Sequence, residues 1–167
     1  MDTNGNLKQL LLKDLCGRLP YGVKVQVCNA TEYTPILRGI LGDDLFLQFD
    51  YITKPIKNGD STYNLIEDNI KPYLRPMSNM TKEEKKELLC TIVGKNNVKY
   101  FQVLSDGSID NTDAKDQDLQ NFSMHWINFD IFNTTSYIDW LNAHHFDYRN
   151  LIKRGLALPA PEGMYKF

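Results

Sequence analysis

No run in this sequence approaches the roughly 20 apolar residues that a membrane-spanning helix requires. Met1 to Gly5 also lack the basic start and continuous apolar stretch of a secretory leader. A cytoplasmic protein with no membrane partner is therefore expected. Charge of one sign is lacking too. The 19 basic and 21 acidic side chains leave a formal charge of −2, so the average field draws the chain neither to nucleic acid nor to an anionic lipid surface. Lys82, Lys85 and Lys86 are interleaved with Glu83, Glu84 and Glu87, and read as a solvated helix face carrying i,i+3 and i,i+4 pairs.

Cysteine and histidine are scarce. Cys16, Cys28 and Cys90 are odd in number, far apart and set among apolar residues, a pattern that predicts buried thiols in a reducing compartment rather than disulfides or a metal knuckle. There is no phosphate-cradling glycine loop, dinucleotide fingerprint or nucleophile elbow. The run Asp110-Asn-Thr-Asp-Ala-Lys-Asp-Gln-Asp118 is rich in carboxylates but lacks the central glycine and terminal glutamate of a calcium loop. Paired carboxylates for glycoside hydrolysis need a defined gap that local sequence does not set. Neither a cofactor nor a metal site is expected.

Apolar residues, by contrast, make up 42% of the chain, with 8 Phe, 9 Tyr and 2 Trp. Such a composition folds, and the length suits one buried core or two small subdomains. Leu7, Leu10, Leu11 and Leu15 recur at helical spacing, with Gly17 at a natural C′ position. Val23, Val25 and Val27 alternate with Lys24 and Gln26 as a strand. Two more strands, Ile36 to Leu41 and Leu45 to Phe49, flank a Gly42-Asp-Asp44 turn, and a short fourth follows at Tyr63 to Ile66. Pro72 and Pro76 keep the next segment extended.

Thr81-Lys-Glu-Glu84 has the form of a capping box for a helix running to Val93 and stopping at Gly94. A strand over Val98 to Leu104, a turn at Ser105 to Ser108 and a polar loop at Asn111 to Gln120 come next. The segment Phe122 to Phe132 has apolar residues on both parities, so its phase is ambiguous. Ser136 and Asp147 are each placed to cap a short helix, the second ending before Gly155.

The fold class expected is α+β: a small, strongly bent antiparallel sheet or SH3-like barrel, then an α/β second half with a C-terminal helix-turn-helix corner. The expected division is residues 1–80, an N-terminal helix and barrel-like subdomain, and residues 81–167, an α+β subdomain packed against it as one cooperative unit.

The corner concentrates the chemistry, because His144 and His145, two of three histidines, stand beside Asp147 and Arg149. Imidazole titrates near neutrality and binds zinc or iron, but adjacent side chains in a regular element point apart, which disfavours a shared metal. His125 is distant in sequence. Asp147 is expected to accept amide hydrogens of the following helix, a role that consumes the carboxylate a catalytic histidine would use. Arg149 has two readings: an anion clamp at a helix start, or an ordinary ion pair. The simplest account is a capped corner with one histidine buried and one exposed.

Three stretches carry a resemblance: Lys13-Asp-Leu-Cys-Gly-Arg-Leu-Pro-Tyr-Gly-Val-Lys-Val25, Lys71-Pro-Tyr-Leu-Arg-Pro-Met-Ser-Asn-Met-Thr81 and Trp140-Leu-Asn-Ala-His-His-Phe-Asp-Tyr-Arg-Asn-Leu-Ile-Lys-Arg-Gly155. Together they resemble a group of uncharacterised proteins encoded by phages and mobile elements of gut Bacteroidetes. The resemblance does not extend to Gly107 to Gln120. It implies a phage-linked origin, in the host cytoplasm, and no reaction.

The leading expectation is therefore a non-catalytic accessory protein that binds a host, virion or small-molecule partner. Tyr73, Arg75, Trp140, His144, Tyr148 and Arg149 are its candidate binding residues. The rival is a small hydrolase or transferase using His144 or His145 with Asp147. A homo-oligomeric structural or assembly protein is the third reading.

Overall fold

The computed structural model describes residues 3–28, 33–49, 62–111 and 134–166. The ambiguous 122–132 segment, His125, Asp113, Asp116, Asp118 and the loop beyond Asn111 lie outside the described residues. The chain divides into two compact units, residues 1–75 with 142–167, and residues 76–141.

The first unit opens with helix α1 (Thr3–Arg18). The helix passes through Gly17 instead of ending there, and a Cβ on that glycine would lie 3.0 Å from Asn142 Nδ2. Gly17 is thus a site of close approach. Leu11, Asp14, Leu15 and Arg18 recur at i, i+3, i+4 and i+7, and all four are buried. Strands β1 (Val25–Gln26), β2 (Ile36–Leu41), β3 (Asp44–Gln48), β4 (Thr62–Asn64) and β5 (Lys71–Leu74) follow.

β2 and β3 form the expected hairpin, closed by Gly42 and Asp43 between paired Leu41 and Asp44. Gly42 takes φ 62°, the left-handed value that a two-residue hairpin turn requires. The register shifts between Leu37 and Gly39, where a side chain on residue 39 would press on the Phe46 ring, 3.2 Å away. The alternating burial of β3, with Leu45 and Leu47 inward, is the period-2 pattern of a half-buried strand.

The SH3-like barrel is not formed. Among the described residues the strands divide into three small sheets, of order β2-β3-β4, β1-β5-β8 (β8, Leu158–Pro159) and β6-β7 (Phe101–Val103 and Ile109–Asn111), none of them closed or strongly curled. The reason lies in pairing. β1 meets β2 only through a single Lys24 to Ile36 bridge and pairs antiparallel with β5. The other edge of β5 is taken in parallel by β8 (Leu158–Pro159) from the end of the chain. Strands of two to six residues divided between two sheets leave nothing to close a cylinder. The first unit's core gathers Leu11 and Leu15 of α1, Val23, Val25 and Val27, residues of both sheets, and Leu151 and Ala157.

In the second unit, helix α2 (Lys82–Val93) starts on the expected capping box. Thr81 Oγ1 accepts from the Glu84 amide at 3.2 Å, while Glu84 Oε2 accepts from the Thr81 amide at 2.9 Å. Gly94 ends the helix. The strand expected over Val98 to Leu104 is shorter, because Val98–Tyr100 winds as a 3-10 turn before β6 (Phe101–Val103). β6 pairs antiparallel with β7 (Ile109–Asn111). Leu88, Leu89, Ile92 and Val93 of α2 are buried with Phe101 and Val103 of β6.

Helix α3 (Thr134–Ala143) includes Ser136 within its first turn, so Ser136 is not the cap expected ahead of it. The second helix of the expected corner is absent: residues 148–155 form consecutive turns, with bonds such as Arg154 N–H to Asn150 O and Gly155 N–H to Ile152 O. Left-handed Asn150, at φ 57°, interrupts the helical path within that span. Cys16 and Cys28 are exposed and Cys90 is half-buried, contrary to the expected buried thiols. Cys16 falls one residue beyond the buried Leu15, on a different face of α1, and Cys28 lies in a left-handed turn after the Val23 to Val27 segment.

Candidate functional site

The corner that follows α3 is built on the end of β5. Arg75 N–H donates to His145 O and Asp147 N–H donates to Arg75 O, both at 2.8 Å, so residues 145–147 run beside Arg75 as a short parallel bridge. His145 takes the left-handed conformation, φ 57°, just past the last helical turn, and its N–H bonds Asn142 O at 3.1 Å. This is the geometry of a helix C-cap.

Two ion pairs converge beneath it. Arg18 holds Asp14 with both arms of its fork, Nε to Oδ2 at 2.6 Å and Nη2 to Oδ1 at 3.1 Å, and both side chains are fully buried. Arg18 Nη2 also donates to Phe146 O at 2.8 Å, tying helix to corner. Arg149 Nε lies 3.3 Å from Asp14 Oδ1 and donates to Tyr148 Oη at 3.2 Å. Tyr148 Oη in turn donates to Asn142 Oδ1 at 3.1 Å. Of the two readings of Arg149, the ion pair is the one present.

Asp147 performs the capping role expected of it, though on a series of turns. Oδ1 accepts from the Leu151 amide at 2.7 Å and Oδ2 from the Ile152 amide at 2.9 Å. His145 is buried and stacked on Tyr165, with ring centroids 3.9 Å apart and an interplanar angle of 27°. Burial lowers its pKa to about 3, helped by the positive charges of Arg18, Arg75 and Lys24. It is neutral at pH 7. Tyr165 Oη donates to Tyr73 O at 2.8 Å and accepts from the Lys24 amide at 3.1 Å, and burial pushes its phenol pKa upward.

The structure thus brings Arg75, His144, His145, Asp147, Tyr148 and Arg149 together. Arg75 Nη1 reaches the His144 carbonyl at 3.5 Å, and its guanidinium lies 4.2 Å from the centre of the Phe146 ring. Tyr73 joins through its backbone carbonyl. Trp140 belongs to the second unit, where its indole is buried and donates to Glu87 Oε1 at 3.0 Å. Sequence reasoning missed Asp14, Arg18 and Tyr165. The signal for the first two was present: an acid and a base four residues apart, standing in the apolar stripe with Leu11 and Leu15. Tyr165 had no such signal, because its place depends on the path of the tail.

Among the described residues no group of three His, Cys, Asp or Glu side chains is arranged to hold a metal ion, and no helix is long and apolar enough to cross a membrane. No protein-family model, curated protein or solved structure matches the chain. What the corner can do follows from its bonds. A stacked imidazole with so low a pKa holds no imidazolium proton to give as a general acid at neutral pH and is a weak base, and a carboxylate with both oxygens on amides is occupied in holding the turn.

Proposed function

We propose that the chain is a non-catalytic accessory protein of a phage or mobile element, acting by binding a host, virion or small-molecule partner. One observation carries the reading: Asp147, the group best placed in sequence to support a catalytic histidine, spends both oxygens on the Leu151 and Ile152 amides. The buried, neutral His145 supports the same conclusion, since it is held as a packing element under Tyr165.

Native mass spectrometry of the protein isolated from extract of its natural host tests this. A reproducible bound mass, retained when His145 and Asp147 are both replaced by asparagine, is the expected result. A defined substrate that the parent converts, and the double variant does not, overturns it.

A further inference from the structure

The first unit has a cleft lined by none of the residues of the histidine corner. It lies between α1, the turn that follows β4, and the Gly155-Leu156 link, and offers about 370 Å³ of space open to solvent on one side. That volume falls within the range of about 300–1,000 Å³ ordinary for small-ligand sites and is many times the roughly 30 Å³ share of a water molecule. Its apolar lining comes from Leu7, Leu11, Leu65, Ile66, Ile70 and Leu156. Leu11, Leu65 and Ile70 are core residues, so the walls are held by the folded unit and need not be assembled by a ligand. Ile66 is 58% exposed, leaving a large aliphatic side chain in water at a lined concavity.

Two lysines border this surface, Lys8 and Lys71. Lys8 is neutralised by an ion pair with Asp43. Lys71, half-buried on β5, makes no ion pair with any described residue. The cleft therefore combines a mainly aliphatic lining, with Asn69 as a polar neighbour, and an ammonium group not ion-paired among the described residues, which complements an aliphatic body bearing a single negative charge. A multiply charged phosphate would need more donors than one ammonium group.

Resting on the binding reading above, we propose that this cleft is the site of a medium-chain aliphatic monocarboxylate, with its alkyl chain against Leu7, Leu65 and Leu156 and its carboxylate on Lys71 Nζ. Nothing in the proposal requires a chemical step.

The test is titration of the full-length protein with decanoate, decanol and inorganic phosphate, followed by amide chemical shifts and calorimetry. Decanoate is expected to bind one-to-one and to shift the amides of Leu7, Ile66 and Leu156, with decanol about tenfold weaker and phosphate silent. Lys71→Gln should weaken decanoate about two- to fivefold and leave decanol unchanged, as expected when one charge contact is lost. Ile66→Gln, at an exposed position that tolerates a polar side chain, should weaken both and serves if Lys71→Gln unfolds. Silence of all three amides, equal affinity for decanoate and decanol, or phosphate binding at the same residues overturns the proposal. A bound mass from host extract alongside silent decanoate rejects the cleft and leaves the binding reading standing. Histidine-dependent turnover rejects that reading whatever decanoate does.

Discussion

Arg18 shows how one residue can determine the stability of the first unit. A guanidinium and a carboxylate with no solvent exposure stand where leucines would complete the stripe of α1. Removing one partner strands the other charge in the interior, which typically costs about 3–5 kcal/mol. Arg18→Met should fall near the lower end, because Arg149 remains 3.3 Å from Asp14. Arg18 Nη1 is also buried with no hydrogen-bond partner among the described residues, a cost of about 1–3 kcal/mol that an apolar side chain does not carry. The double variant Asp14→Leu with Arg18→Met should therefore recover most of the loss. Urea denaturation of both single variants and the double one checks this, and simple addition of the two losses would refute the coupling.

At the scale of elements, what could be read from the sequence separates by range. The α2 capping box needs residues three apart, and the β2-β3 turn needs two, so both were legible from Thr81, Glu84 and Gly42. The β5-β8 pairing joins Tyr73 to Leu158, and no local pattern reports that partner. The expectation of a barrel failed for that reason: Val23, Val25 and Val27 alternate as a strand should, but alternation names a buried face and not the neighbouring strand. The histidine corner was legible as a corner, while the charged pair beneath it required α1 to be known in three dimensions.

The β6-β7 connection shows a further limit of local signals. Ser105-Asp-Gly-Ser108 reads as a turn, and Asp106 Oδ1 accepts from the Ser108 amide at 2.9 Å as such a turn should. The sequence does not show that Gly107, at φ 87°, lies under Met77, whose Cε would sit 2.0 Å from an added Cβ. Gly107→Ala should combine backbone strain with displacement of Met77 and destabilise the second unit by about 1–3 kcal/mol. Thermal unfolding measures the loss. Gly42→Ala, with open space around its Cβ, should show the backbone component alone.

For the molecule as a whole, His145 couples folding to pH. Its pKa is about 3 in the folded chain, against the ordinary 6.5 of a solvated histidine. Between those values the unfolded chain binds a proton that the folded chain refuses, so protons favour unfolding. The contribution is fully present above about pH 6.5 and is lost progressively as pH falls toward 3, at up to about 1.4 kcal/mol per pH unit. His145→Asn removes the titration while keeping a residue that tolerates the left-handed backbone. The variant should lose the stacking on Tyr165 at every pH, yet its stability relative to the parent should rise by about 2–3 kcal/mol between pH 7 and pH 4.5. Guanidinium denaturation at both pH values, with amide exchange at Val25 and Leu74 reporting the first unit, measures the difference. Parallel pH profiles for parent and variant would mean that His145 takes up its proton without unfolding, and that Tyr165 and the surrounding cations do not hold it neutral.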